Sequence, residues 1–322
     1  MAFHPNTLPN LQGKVFIVTG GNSGIGYHTV AHLAEHGAHV YLCARSSKKG
    51  TAAIANIKKI HPNANIDLLQ MDHTDLASVV TAAQHILTRE PALHGLVNNA
   101  GIMATPFVLT KDGHEAQWQT NYLAHWVLTA HLLPLLQRTA QTLPPGSVRI
   151  VNLSSSGHLA APKGGINFPD LSLNARSPWA RYGQSKLANI LHTQTLHRMY
   201  GPGSLGARNG EGEIWVSSVH PGMVETNLAS ALQESESGLG MTSIFSVARR
   251  LGLIFPAEKG SWTSLFCAAS PEMTAEQSGM YREIFRRFGE PWWQSGAAKN
   301  EELAEQLENW TMEAMKKEGW VR

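Results

Sequence analysis

Tyr182 and Lys186 stand four residues apart in "RYGQSKLAN" (181–189), inside a run whose pattern predicts an amphipathic helix. Positions i and i+4 share one helix face, so the phenol and the ammonium can enter the same cleft. An ammonium beside a phenol favours the phenolate and lowers a pKa that is ordinarily about 10. A phenol so tuned can pass a proton in either direction near neutral pH. Taken alone, the pair also fits an ordinary surface helix. Its meaning depends on what the fold brings beside it.

A second chemical signal is "TGGNSGIG" (19–26), directly after the apolar run "KVFIVTG" (14–20). Gly20, Gly24 and Gly26 permit a tight turn and a close backbone approach to a pyrophosphate. Ser23 and Ile25 lie in the same loop, where a helix start aims its amides at phosphate. Glycine trios are common in turns; at a strand–helix junction this one reads as a dinucleotide site. The second strand ends in Ala44, then Arg45 and Ser46, both candidate cofactor ligands, with Lys48 and Lys49 behind. No carboxylate is there to bond a ribose 2′-hydroxyl, whereas a guanidinium can pair a 2′-phosphate bidentately. That favours NADP(H) over NAD(H). Asp72 is either an adenine contact or a helix cap.

The elements that must hold these groups alternate along the chain. Apolar runs at 14–20, 38–44, 65–71, 94–99, 147–154 and 213–222 predict six strands. Helical patterns fall at 24–35, 46–60, 75–89, 115–137 and 179–200. Near-continuous apolar strands imply a sheet covered on both faces, and strand–helix alternation implies parallel crossovers. The expected class is α/β: a doubly wound parallel sheet (Rossmann fold) in three α/β/α layers, a single domain with a C-terminal helical tail. Residues 1–285 would form the domain, with a substrate lid at about 223–260, and 286–322 the tail packed on it.

The 322 residues are 43% apolar and 16% charged, with a formal net charge of +2. No basic run stands out, which disfavours nucleic acid and anionic membrane as partners. Cys43 and Cys267 read as reduced core residues, and no signal core or membrane span is seen, so a cytoplasmic, soluble protein is expected. Sixteen histidines include none at metal-ligand spacing, so no metal is expected. His125, His192 and His197 read as packed or solvated helix residues. Trp292 and Trp293 read as packing anchors for the tail.

"TGGNSGIG", "NNAG" (98–101), Asn121, "VNLSSSG" (151–157), "YGQSK" (182–186) and "HPGMVET" (220–226) occur in the order found in short-chain dehydrogenases/reductases. The resemblance covers about residues 12–285, and the tail resembles the retinol-dehydrogenase-like branch. It implies strand order 3-2-1-4-5-6-7, with nicotinamide over the carboxyl ends of the central strands. It implies Tyr182 as the proton donor or acceptor for the substrate oxygen, Lys186 on the nicotinamide ribose, and Ser155 on the carbonyl or alcohol. Asn121 would anchor a water chain. Pro221, Gly222, Val224 and Thr226 would meet the nicotinamide end, Asn99, Ala100 and Gly101 the adenine ribose side, and Asn98 the sheet. Ser155 is the choice among Ser154, Ser155 and Ser156 by alignment. The insert "HLAAPKGGINFPDLSLNARSPWA" (158–180) is expected to loop over the substrate mouth.

The implied activity is hydride transfer between NADP(H) and a hydrophobic carbonyl or alcohol, reduction being the favoured direction. Met241, Ile244, Phe245, Leu251, Leu253, Ile254 and Phe255 either line that pocket or simply pack a lid helix. Alternatives are reduction of a C=N or C=C bond, or a regulatory protein that binds NADP(H) without chemistry. Homodimers through the helices of Asn121 and Tyr182 are the family habit, but the tail or the insert could block that face.

Overall fold

The computed structural model describes residues 3–224, 254–283 and 293–322. Runs of Val, Ile and Leu give β1 (Val15–Val18), β2 (His39–Ala44), β3 (Asn65–Gln70), β4 (Gly95–Asn98), β5 (Val148–Leu153) and β6 (Ile214–His220). A seventh strand, β7 (Tyr281–Glu283), is only three residues long, too short to leave a periodic signal. All pair in parallel, in the order β3-β2-β1-β4-β5-β6-β7. The order reverses between β1 and β4, and a crevice opens beyond their carboxyl ends.

The helices begin where short polar side chains can cap them. Among the described residues they are α1 (Gly24–Glu35), α2 (Ser47–Ile60), α3 (Leu76–Arg89), α4 (Ala116–Trp118), α5 (Ala124–Gln141), α6 (Pro178–Tyr200), α7 (Leu205–Arg208), α8 (Ala257–Ala269) and α9 (Glu301–Lys317). Ser46, Asp75, Ser177 and Asn300 accept first-turn amides of α2, α3, α6 and α9. A π turn, Gln119–Leu123, joins α4 to α5 and holds Asn121. Two apolar clusters lie on opposite faces of the sheet, one under α3, α5 and α6, the other under α1, α2 and α8. The three α/β/α layers expected from alternation are present. The single turn α7 falls in a glycine-rich stretch (201–212) that reads as loop; the Ser204 hydroxyl caps it.

The tail lies across α5 and α6. Leu303, Leu307 and Met315 bury there, Tyr122 Oη meets Thr311 Oγ1 at 2.8 Å, and Trp126 Nε1 donates to both oxygens of Glu308 at 3.1 and 3.2 Å. His192 Nδ1 stands 3.4 Å from Glu308. Trp293, expected to anchor the tail, is instead 69% exposed, because the helix residues carry the packing; Trp292 lies outside the described residues.

The insert also departs from expectation. Most of it runs along α6 toward the tail, and only Trp179 near its end lines the crevice. Gln184 Oε1 accepts the Asn167 amide at 2.8 Å and Gln184 Nε2 donates to Leu171 O at 3.0 Å. Ile166 and Leu173 are buried, and Phe168 and Leu171 pack on the core. Those four apolar side chains are the physical reason: spread over the crevice, they would face water. Among the described residues no helix is long and apolar enough to cross a membrane.

Candidate functional site

The loop after β1 is shaped by its glycines. Gly20 and Gly24 hold φ values of +64° and +54°, a region that strains any other residue. A Cβ on Gly26 would overlap the Gly20 carbonyl oxygen and Asn99 Nδ2. Ser23 precedes α1 without a side-chain cap, so the first amides of that helix open into the crevice. This is a cradle sized for phosphate, and the donors present fit the pyrophosphate of a dinucleotide. Gly26→Ala is expected to cost about 1–3 kcal/mol through overpacking and to weaken dinucleotide binding at least about tenfold. Thermal melting and an NADPH fluorescence titration check it; unchanged binding would contradict the cradle.

Below the loop, Thr19 Oγ1 accepts the Asn99 and Ala100 amides, both at 2.8 Å, and Asn99 Nδ2 donates to Thr19 O at 2.7 Å. Thr19 Oγ1 also meets His125 Nε2 at 2.8 Å, and His73 Nε2 lies 3.2 Å from that nitrogen. Burial holds both rings below the ordinary histidine range, His73 at about 4, so they pack as neutral groups. His192 is also packed, and His197 is half-buried on Ser278 at 3.0 Å. Asn98 Nδ2 spans to Thr129 Oγ1 and Asn152 Oδ1, tying β4 to α5 and β5.

Arg45 stands exposed at the end of β2 and lines the crevice. Ser46 does not line it; its hydroxyl accepts the Lys49 amide at 3.3 Å and caps α2. Asp72 does line it, with Oδ1 accepting the Thr74 amide at 2.9 Å and hydroxyl at 2.7 Å. The cap of α3 is Asp75, not Asp72.

The far end of the crevice gathers Ser155, Tyr182 and Lys186. The three serines separate by environment. Ser154 is buried and donates to Lys186 O at 2.7 Å, Ser156 is exposed, and Ser155 hydrogen-bonds the Tyr182 phenol while its Oγ accepts the Gly157 amide at 3.0 Å. Lys186 Nζ donates to Leu153 O at 2.8 Å and lies 5.9 Å from the Tyr182 ring centroid. Burial pulls the lysine down to about 7 and pushes the phenol up to about 12, with Ser155 partly opposing the latter. The expected lowering of Tyr182 by the cation is thus reversed here. The ammonium is turned onto a backbone carbonyl, and both groups sit where charge is poorly solvated.

Asn121 forms no part of the crevice wall but braces it: its Oδ1 accepts the Ile102 amide at 2.8 Å and its Nδ2 donates to Ser185 Oγ at 2.9 Å. Gly101 fits between Asn121 and Lys186.

A continuous cavity of about 550 Å³ joins the glycine loop to Tyr182 and Lys186, passing Asn99, Ala100 and Gly101 and reaching Pro221, Gly222 and Val224. Its wall near Tyr182 includes Ile102, Met103, Trp179, His220 and Met223, which sequence patterns did not single out. Trp179 crosses the Tyr182 ring edge-on at 6.0 Å. Its position, one turn before Tyr182 on the same helix, was the available signal. Thr226 and the lid residues Met241, Ile244, Phe245, Leu251 and Leu253 lie outside the described residues. The flanks of that stretch meet at the crevice, where Phe255 donates its amide to Met223 O at 2.8 Å. Among the described residues no three His, Cys, Asp or Glu side chains converge as a metal site.

A family model for short chain dehydrogenase matches residues 14–237. A short-chain dehydrogenase/reductase of Aspergillus calidoustus, drtF, is 48% identical over 316 residues, 97% of each chain. Mouse retinol dehydrogenase 12 is 35% identical over 308 residues, covering 95% of this chain and 87% of its own. A crystal structure of an uncharacterized protein from Mycobacterium paratuberculosis superposes with a TM-score of 0.72 at 29% identity, covering 98% of each chain. With the parallel sheet, the glycine cradle and the Ser–Tyr–Lys cluster in one crevice, this chain belongs to the short-chain dehydrogenase/reductase family of oxidoreductases, whose members use a nicotinamide cofactor.

Proposed function

We propose that the protein is an NADP(H)-dependent oxidoreductase that moves a hydride between the nicotinamide and a hydrophobic carbonyl or alcohol, with ketone or aldehyde reduction the working direction. The observation that carries this reading is the meeting of Ser155, Tyr182 and Lys186 at one end of a cavity whose other end is the glycine cradle.

When bound, the dinucleotide supplies or takes up the hydride. The chain's own groups manage the accompanying charge and proton. The Tyr182 hydroxyl, kept protonated at neutral pH by burial, gives its proton to the substrate oxygen. The Ser155 hydroxyl, oriented by the Gly157 amide, hydrogen-bonds the same oxygen as negative charge builds on it. Lys186 bonds the ribose and supplies positive charge beneath the phenol, and Asn121 holds the neighbouring loop and the path by which the proton is replenished. Gly20, Ser23, Gly24, Ile25 and Gly26 hold the pyrophosphate, Asn99, Ala100, Gly101 and Asp72 the adenosine side, and Pro221, Gly222 and Val224 the nicotinamide end. Ile102, Met103, Trp179 and Met223 give the substrate side an apolar wall, which supports a hydrophobic substrate.

Arg45 is our selector for the 2′-phosphate. Arg45→Asp is expected to raise KM for NADPH by about 10- to 100-fold, the loss of one or two charge-assisted hydrogen bonds, with KM for NADH unchanged or lower. The function is tested with a panel of ketones, aldehydes, alcohols, an imine and an enone, each with NADPH and NADH, following absorbance of the reduced cofactor. Turnover confined to the imine or enone would replace the carbonyl reading, and tight binding without any turnover would replace the enzymatic one.

We read residues 1–285 and the 286–322 extension as one unit, since α9 shares the core beneath α5 and α6. The same packing covers the face through which those helices would pair, so we infer that any dimer uses another surface. The buried free thiols of Cys43 and Cys267 support a reducing, cytoplasmic setting.

A further inference from the structure

We propose that His158 is a positioning residue for Ser155, and that through it the placement of the serine depends on docking of the C-terminal segment at Ser295. This rests on the role given to Ser155 above. His158 is 1% exposed and lies in the 3₁₀ turn Ser156–Ala160, whose N-cap is Ser155. The carbonyl of Ser155 accepts two hydrogen bonds from this one residue, from its amide at 3.0 Å and its ring Nδ1 at 2.8 Å. A carbonyl only accepts, so Nδ1 carries the ring proton. The other nitrogen, Nε2, faces the backbone amide of Ser295 at 3.3 Å. An amide N–H only donates, so Nε2 presents its lone pair. Both partners therefore select the same neutral tautomer, and burial, which disfavours the charged ring, agrees.

The ring is confined on its remaining side. It meets Tyr281 of β7 edge-on, with centroids 5.2 Å apart. Ser295 is itself fixed: its carbonyl and hydroxyl accept the Ala298 amide at 3.1 and 3.2 Å, opening the turn Ala297–Lys299 that leads into α9. Gln194 of α6 then holds Ala298 O at 2.7 Å. A chain of directional bonds thus runs from the tail through an imidazole to the serine that bonds the Tyr182 phenol. Because Ser155 Oγ is oriented by the Gly157 amide of the same turn, a shift of that turn moves the hydroxyl away from the phenol. A misplacement of about 1 Å can cost on the order of 100-fold in rate.

Asn at 158 can place an N–H where Nδ1–H stands, whereas Gln reaches the Nε2 position and loses the donor to Ser155. With the best substrate from the panel, kcat, KM and NADPH affinity are measured for His158→Phe, His158→Asn, His158→Gln, Ser295→Pro and Ser155→Ala, with a thermal melt for each. We expect His158→Phe and His158→Gln to lower kcat about 10- to 100-fold, with KM and NADPH affinity within about twofold of the parent. His158→Asn, which keeps the donor to Ser155 but not the bond to Ser295, should recover only part of the rate. Ser295→Pro, which removes the amide donor, should lower kcat in the parent but not further in the His158→Asn background, since that ring-to-tail bond is already gone. If His158→Phe does not fold, the comparison of Asn with Gln decides, and equal kcat in those two overturns the proposal. Parent-like kcat in His158→Phe while Ser155→Ala is inactive overturns this inference alone; full activity in Ser155→Ala overturns the reading of the serine itself.

Discussion

Tyr182→Phe is expected to lower turnover by about 10²- to 10⁴-fold, the span that one positioned general acid supplies, while NADPH binds as before. The substitution removes one oxygen and keeps the ring, which is 5% exposed and packed against Trp179 and Gly157. The lost bond to Ser155 is a single neutral hydrogen bond, so stability should change by no more than about 1 kcal/mol in either direction. A folded, cofactor-binding, inactive variant is therefore the expected result, checked by circular dichroism, NADPH titration and steady-state rates. The pH profile adds a sign. With the phenol pushed up to about 12, the protonated form dominates at neutral pH, which suits reduction; alcohol oxidation needs the phenolate and should speed up as pH rises. Tyr182→Phe should abolish that alkaline rise. Residual reduction within a few-fold of the parent would remove Tyr182 from the chemistry.

The parts of this site that were legible in the sequence are those where one residue's chemistry is set by local geometry. Gly20, Gly24 and Gly26 announce a backbone that only glycine accepts, and the i, i+4 spacing of Tyr182 and Lys186 announces a shared helix face. The strands were legible because burial on both faces leaves continuous apolar runs; β7 was not, being three residues long. What stayed hidden depends on contacts between distant segments. Nothing local to His158 points to Ser295, and nothing local to Ile166 or Leu171 shows that these side chains find their apolar partners on α6 and the tail. Ser46 is a candidate ligand beside Arg45, but in the structure its hydroxyl accepts the Lys49 amide and caps the helix that starts there, a role set by the fold of the next segment. Electrostatics was hidden for the same reason. Spacing shows that a lysine is near a tyrosine; it does not show that Leu153 O captures the ammonium or that burial outweighs the mutual attraction.

Lys186→Met should inactivate the protein and stabilise it, and the size of the stabilisation should depend on pH in a defined way. The ammonium is 3% exposed, and burial pulls its pKa from 10.5 in the open chain to about 7. Above pH 10.5 neither the folded nor the unfolded chain carries the proton, and burial costs nothing. As pH falls from 10.5 to 7 the unfolded chain takes up a proton that the folded chain does not, so the parent steadily loses stability. Below about 7 both states are charged and the penalty is constant at its full size. At about 1.4 kcal/mol per pKa unit, a shift of this direction and extent is worth on the order of a few kcal/mol. Met keeps the apolar stem without the charge. Leu153 O, which loses the ammonium, still accepts from Asn189 Nδ2 at 3.0 Å, so no buried carbonyl is orphaned. Denaturant midpoints without added dinucleotide should therefore favour Lys186→Met most at pH 6, less at pH 8, and hardly at all near pH 10.5. Turnover should fall by about 100-fold or more, since the phenol loses the cation beneath it. A stability difference that is flat across this range would mean the lysine is well solvated in the folded chain and binds its proton there as it does in the open chain. A difference that shrinks with rising pH, beside lost activity, would mark Lys186 as a charge kept in an apolar site against its own stability because the reaction needs it there.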